Sequence, residues 1–174
     1  FIADAWMSFG GNGWPLKFVH GSVDNLRGGE DGQGPRFSNG YFDAVKIDRV
    51  LMHLDSSVSV IGEMKRVTKQ GGTIVIAEPD WGSLVVATAE NEVYAKIIAA
   101  VCSRSNPAIK APLIGRELYF NCVQSGLKEI GLDIVNFTFT CFSEFSTIVP
   151  FDGFIENAVK AGSFGDGEVD RLLL

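Results

Sequence analysis

The stretch GGTIVIAEPDW, residues 71–81, constrains the fold of this chain most strongly. Its apolar run from Thr73 to Ala77 is rich in β-branched side chains and does not alternate with polar residues. Such a run is typical of a strand that is covered on both faces. Glu78 and Pro79 end the run abruptly, so the chain is predicted to leave a buried strand at an acidic exit.

A helix is predicted directly before this strand, from Ser57 to Lys69. Its apolar side chains recur at steps of three, which indicates one buried face: Val58, Ile61, Met64 and Val67. Gly71 and Gly72 are then expected to end the helix with a left-handed cap. A helix that leads into a doubly covered strand predicts an α/β fold with helices on both faces of the sheet.

Similar patterns predict the remaining elements. Strands are expected at Leu16 to Val23 and Phe42 to Asp48, and helices at Ala89 to Arg104 and at residues 116–131, the latter capped by Gly131. From Leu132 to Phe142 apolar and polar residues alternate, which predicts an antiparallel, half-exposed strand. The sheet is therefore expected to be mainly parallel, with one antiparallel strand near the C-terminal end and helical structure beyond about Pro150.

Composition excludes several classes of protein. With 174 residues, the chain is expected to form a single domain over residues 1–174. A net charge of −6 argues against nucleic acid as a direct partner. No apolar run approaches the roughly 18 residues of a spanning helix, so no membrane partner and a cytoplasmic location are expected. Three scattered cysteines and two histidines predict neither a disulfide framework nor a metal site.

Ligands of parallel α/β sheets bind beyond the carboxyl ends of the strands. Asp48 and Arg49 follow one predicted strand, and Glu78 and Asp80 follow the next. These four side chains are therefore expected at the functional edge, whatever the function is.

The order of four segments resembles class I S-adenosylmethionine-dependent methyltransferases of the type found in quinone biosynthesis. The segments are FVHGSVDNL, FDAVKIDRVLMHL, IGEMKRVTKQGGTIVIAEPDWGSLVV and IGRELYFNCVQSGLKEIGL, and the resemblance runs from about Lys17 to Phe142. It implies a Rossmann-like methyltransferase sheet, S-adenosylmethionine as cofactor and a small-molecule methyl acceptor. Asp48 and Arg49 would then lie near the cofactor.

Two features of that family are not matched by the residues of this chain. The family has a glycine-rich turn after its first strand and a ribose-binding acid after its second, and the sheet is therefore expected to be truncated. The turn FGGNG (Phe9 to Gly13) lies too close to the next predicted strand to serve, so an ordinary surface turn is the expectation. Ser22 stands where the family has an adenine-binding Asp, and Val23 either contacts the adenine ring or belongs to the core.

Three residues are candidates for the chemistry. His53 has a side chain suited to removing a proton from the methyl acceptor, and its alternative is a histidine packed under a loop. Glu78 and Asp80 would orient the substrate or the positive sulfur, or else cap the following helix or stay solvated. Trp81 is a candidate for stacking on an aromatic acceptor.

The expected truncation leaves an edge of the sheet without a partner strand. Unpaired strand edges invite pairing with another chain, so a homodimer through that edge is predicted, unless the third strand of the family moves in to cover it. A non-catalytic accessory or binding module is the alternative to an active methyltransferase.

Overall fold

The computed structural model describes residues 19–27, 36–85, 91–103, 109–149, 151–160 and 162. They form two compact units. The first unit contains the described residues up to Lys46 together with Val58–Ile76. The second contains Ile47–Ser57 and the described residues from Ala77 onward. That residues 1–174 make a single domain stays a prediction.

Two strands form a sheet, β1 at Phe42–Asp48 and β2 at Thr68–Ala77. The carbonyl of Asp43 lies against Gly72, and the Arg49 amide donates to the Ala77 carbonyl at 2.8 Å. The contacts ascend in both strands, so the strands are parallel, as predicted. The α/β class with a parallel sheet is confirmed. The prediction that Thr73 to Ala77 are covered on both faces is wrong, because all five residues are exposed or half-buried. A β-branched run favours strand conformation, but the elements that would cover the strand have to come from elsewhere in the chain.

Helix α1, Ser57–Val67, connects the strands and buries four apolar side chains, namely Val60, Ile61, Met64 and Val67. The helix ends two residues earlier than predicted, and Gly71 and Gly72 lie in β2 rather than in a helix cap. Gly71 does have a left-handed φ of 77°. A Cβ on Gly72 would lie 2.6 Å from the Asp43 carbonyl oxygen, so this glycine is needed for close strand approach.

Arg66 organises the polar contacts of the first unit. Its guanidinium donates to both carboxylate oxygens of Glu63 at 2.7 Å, and to the Phe37 carbonyl and the Asn39 side chain at 2.8 and 2.9 Å. Glu63 also accepts from the Leu26 amide at 2.9 Å. One helical side chain therefore holds the segment that enters β1.

The strand predicted at Leu16 to Val23 is wrong for residues 19–23, the part of this range that the structure describes. Residues 19–23 form no strand, and Ser22 and Asn25 make an isolated antiparallel bridge across a turn. The glycine and polar residues beyond Val23 favour this reversal over an extended run. Residues 16–18 and the FGGNG turn lie outside the described residues.

The described residues of the second unit form four further α-helices: α2 at Asn91–Val101, α3 at Ile114–Gln124, α4 at Phe142–Ile148 and α5 at Phe151–Lys160. Helix α2 packs against α5. Their apolar faces supply buried residues that include Ile97, Val101, Ile114, Phe145 and Ile155. Every helix among the described residues is too short or too polar to span a lipid bilayer.

Helix α3 ends earlier than predicted, at Gln124 rather than near Gly131. Gly126 takes a φ of 71°, its amide donates to Val123, and the Leu127 amide donates to Cys122. These are the two bonds of a Schellman motif. The cap of α3 is therefore formed by Gly126 and not by Gly131.

The antiparallel strand predicted from Leu132 to Phe142 is wrong. Residues 131–139 form no strand, and α4 begins at Phe142. Val135 is 71% and Phe137 70% exposed. Alternation marks a segment that could form a half-buried strand, but a strand also has to pair with a neighbouring strand, and residues 131–139 pair with neither β1 nor β2.

Candidate functional site

The carboxyl ends of β1 and β2 lie side by side in the second unit. The bond from the Arg49 amide to the Ala77 carbonyl brings Asp48 and Arg49 next to Glu78, as the strand order predicted. The Arg49 side chain donates to Asp48 at 3.2 Å, and 62% and 43% of these two side chains are exposed. Both therefore remain accessible to a ligand.

Arg49 adopts an uncommon backbone conformation at this edge. Its φ is 54°, in the left-handed region that costs a non-glycine residue roughly 1–2 kcal/mol. Strain of this kind persists only where surrounding contacts hold it, and it is frequent at functional sites.

Glu78 receives three successive backbone amides of the loop after β1. The Val50 and Leu51 amides donate to Oε1 at 2.8 and 2.7 Å, and the Met52 amide donates to Oε2 at 3.4 Å. Glu78 thus caps the 3-10 helix Leu51–His53. The sequence left open that Glu78 caps the helix that follows it. Glu78 does cap a helix, but that helix precedes it in the chain.

His53 is the last residue of that 3-10 helix, and its side chain is exposed. Its amide donates to the Val50 carbonyl at 3.0 Å. The alternative of a histidine packed under a loop therefore does not describe this residue. His53 follows Asp48 and Arg49 in the loop after β1, and solvent reaches its side chain.

Asp80 makes two kinds of contact. One oxygen accepts from the Gly82 amide at 3.1 Å and caps the second 3-10 helix, Trp81–Ser83. Arg116 donates to both carboxylate oxygens at 2.7 and 2.9 Å. The hydrogen bond with Asp80 raises the pKa of Arg116 above its ordinary value.

Arg116 is a residue of this cluster that the sequence did not predict. A signal was available, because Arg116 lies in the first turn of α3, where the helix dipole disfavours a cation. A basic residue there predicts a nearby carboxylate, although not which carboxylate.

Trp81 is buried, with 8% of its surface exposed, and its indole Nε1 donates to Met52 Sδ at 3.3 Å. The Met52 carbonyl accepts the amides of Lys110 and Ala111 at 2.8 and 2.9 Å. The Trp81 amide donates to the Pro112 carbonyl at 3.0 Å. These bonds join three short segments behind the exposed edge, so Trp81 supports the site from within.

Gly115 and Gly82 allow α3 to approach the exit of β2 closely. A Cβ on Gly115 would lie 2.9 Å from backbone atoms of Pro79 and Asp80. One on Gly82 would lie 2.7 Å from the Arg116 guanidinium.

Burial, and secondarily the charge of Asp80, raises the pKa of the Cys102 thiol. Cys102 is therefore a poor nucleophile.

Ser22 and Val23 belong to the first unit. The Ser22 hydroxyl donates a short hydrogen bond to the Asp24 carboxylate and is exposed, and Val23 is half-buried. The other five candidates lie together in the second unit, at or behind one edge: Asp48, Arg49, His53, Glu78 and Asp80.

Comparison with known proteins supports a methyltransferase relationship. Residues 2–76 match the sequence profile of the methyltransferase domain family, so the resemblance to class I S-adenosylmethionine-dependent methyltransferases is confirmed there. A protein described as an uncharacterized 37.1 kDa protein in transposon TN4556 of Streptomyces fradiae is 32% identical over 80 residues. The match covers 46% of this chain and 22% of that relative, so the chain spans about a fifth of the relative's length.

Proposed function

We propose that this methyltransferase-like chain binds S-adenosylmethionine and transfers its methyl group to a small molecule. The match of residues 2–76 to the methyltransferase domain carries the proposal. The matched range includes β1 and the loop that presents Asp48, Arg49 and His53 at the carboxyl edge. Ligands of parallel sheets bind at this edge.

The exposed side chains at the edge have the donors and acceptors that this cofactor requires. The Asp48 carboxylate accepts hydrogen bonds from hydroxyl or amino groups, and the Arg49 guanidinium donates to a carboxylate. Both side chains are exposed enough to do so. The adenine-binding roles of Ser22 and Val23 stay proposals that rest on the sequence resemblance.

When bound, S-adenosylmethionine supplies a methyl group on a positively charged sulfur. The chain then has to hold an acceptor in line with that group and keep water away, which accounts for much of the acceleration of such reactions. We assign proton removal from an acceptor oxygen or nitrogen to His53, because it is exposed at the edge. In this proposal Glu78 and Asp80 orient the groups around them rather than react with the substrate, since their oxygens accept hydrogen bonds from backbone amides and Arg116.

Binding is tested by calorimetry and thermal unfolding with S-adenosylmethionine and S-adenosylhomocysteine. Ligand at a hundred times its dissociation constant adds ~2.7 kcal/mol to the free energy of unfolding. Asp48→Asn is expected to weaken binding by about tenfold, the loss of one charge-assisted hydrogen bond. Asp55→Asn is the matched control, because Asp55 is also exposed and paired, with Lys110 at 2.7 Å. The proposal is refuted if neither compound binds at millimolar concentration.

Catalysis is tested by transfer of a labelled methyl group to a panel of small phenols, amines and quinols. His53→Ala is expected to lower kcat by about 10²–10⁴-fold while cofactor binding is retained. His20→Ala serves as the control, since His20 is also exposed and lies in the first unit. Equal activities of the two variants would remove His53 from the mechanism.

The second candidate function is a non-catalytic binding or accessory module that dimerises through a sheet edge. The structural engagement of Glu78 and Asp80 favours it, because both carboxylates already accept hydrogen bonds from backbone amides or from Arg116. The two-stranded sheet of the described residues also supports pairing with a second copy. Sedimentation equilibrium showing a dimer, together with no response to cofactor, favours this candidate. A monomer argues against it.

A further inference from the structure

Three successive backbone N–H groups after β1 converge on one carboxylate. Val50 and Leu51 donate to Oε1 of Glu78 at less than 3 Å, and Met52 approaches Oε2 at 3.4 Å. Successive N–H groups that point inward form an anion-binding concavity, or nest. In this protein the chain itself fills the nest with a side chain from the exit of β2.

The backbone of Arg49 creates the nest. Arg49 is left-handed with a φ of 54°, and Val50 follows in the right-handed region with φ −117° and ψ −41°. A left-handed residue followed by a right-handed one turns consecutive amides to the same side. The conformation of Arg49 is costly, so it needs contacts that hold it in place.

Those contacts come from two adjacent residues of the other strand exit. The Ala77 carbonyl accepts the Arg49 amide at 2.8 Å, and the next residue, Glu78, accepts the three amides that follow. Glu78 therefore neutralises the partial positive charge of the nest and fixes the direction of the loop.

We propose that Glu78 is a positioning residue whose carboxylate holds the loop Asp48–His53 in one arrangement and so presents Asp48, Arg49 and His53 together. Its role in ligand binding rests on the proposed function, whereas its role in ordering the loop does not. The Oε1 oxygen of Glu78 could turn to a substrate only by giving up two short amide hydrogen bonds.

The test compares Glu78→Ala and Glu78→Gln with the unaltered chain. Glutamine keeps one carbonyl oxygen for the Val50 and Leu51 amides but presents an N–H₂ group, which cannot accept, toward Met52. Asp55→Asn is the control, since Asp55 lies just beyond the loop and points to Lys110. Native-state hydrogen exchange reports the order of residues 50–52, and calorimetry reports the affinity for S-adenosylhomocysteine.

Exchange at residues 50–52 is expected to accelerate at least tenfold in Glu78→Ala, less in Glu78→Gln and not at all in Asp55→Asn. Affinity is expected to fall in the same order, by about tenfold or more for alanine, while the amides of α2 and α3 keep their protection. This partial rescue by glutamine distinguishes positioning from a general loss of stability.

Two results overturn the inference. Unchanged exchange at residues 50–52 in Glu78→Ala would show that Glu78 does not order the loop. Faster exchange with unchanged affinity would show that the ordered loop does not form the site. If the unaltered chain binds neither cofactor compound, the proposed function fails and the binding role fails with it, while the exchange data alone decide the ordering role.

Discussion

Replacing Arg66 by alanine removes the most connected cation of the first unit. Four hydrogen bonds disappear, two of them to Glu63 and two to the segment before β1, at Phe37 and Asn39. The side chains of Arg66 and Glu63 are each only 10% exposed. The substitution therefore leaves a largely buried carboxylate without its cation, which costs about 3 kcal/mol in the free energy of unfolding.

The effect of this substitution depends on pH in a defined direction. The hydrogen bond from Arg66 holds the pKa of Glu63 below its ordinary value of 4.5. A depressed pKa contributes stability above the pKa of the unfolded chain, and that contribution is lost as pH falls through the folded pKa. The difference between Arg66→Ala and the unaltered chain should therefore be largest near neutral pH and shrink progressively below about pH 4.5.

Urea denaturation at a series of pH values measures both quantities. Arg66→Lys should lie between alanine and arginine, because lysine keeps the charge but not the bidentate geometry. Lys69→Ala is the matched control, since Lys69 and its partner Asp43 are 50% and 88% exposed and their pair should contribute little. The reasoning is refuted if Arg66→Ala is no more destabilising than Lys69→Ala, or if the Arg66→Ala difference is the same from neutral to acid pH.

Three other perturbations test the second unit. In urea denaturation, the free energy of unfolding of Arg49→Gly should be about 1 kcal/mol higher than that of Arg49→Ala, because only glycine removes the left-handed strain. Equal free energies of unfolding would argue against strain. Gly115→Ala should lower the free energy of unfolding by about 1–3 kcal/mol, because the added Cβ would contact the Asp80 backbone. Gly62→Ala is the control on α1, where the Cβ would meet open space, and it should raise the free energy of unfolding by up to about 1 kcal/mol. Cys141 should be the first cysteine to react with iodoacetamide, as measured by mass spectrometry of the peptides. The hydrogen bond with Ser143 lowers the pKa of its thiol, whereas burial raises the thiol pKa of Cys102 and Cys122. Faster labelling of another cysteine would contradict this.

Local sequence patterns predicted where α1 and β2 lie, although not the burial of β2. The β-branched run before Glu78 gave β2, and the three-residue spacing before it gave α1. Parallel strand order then placed Asp48, Arg49 and Glu78 at one edge, because two strands joined by a helical crossover end on the same side. These features follow from chain geometry, from the buried face of α1 and from the strand preference of β-branched residues.

Tertiary structure decided which groups pair at that edge. Glu78 lies 26 to 28 positions from the amides that it accepts, and Asp80 lies 36 positions from Arg116. A sequence pattern records the burial that each residue favours, but it does not say which distant donor will meet which acceptor. The alternating segment from Leu132 to Phe142 shows the same division, since its period predicts a strand but only pairing with another strand could make it one.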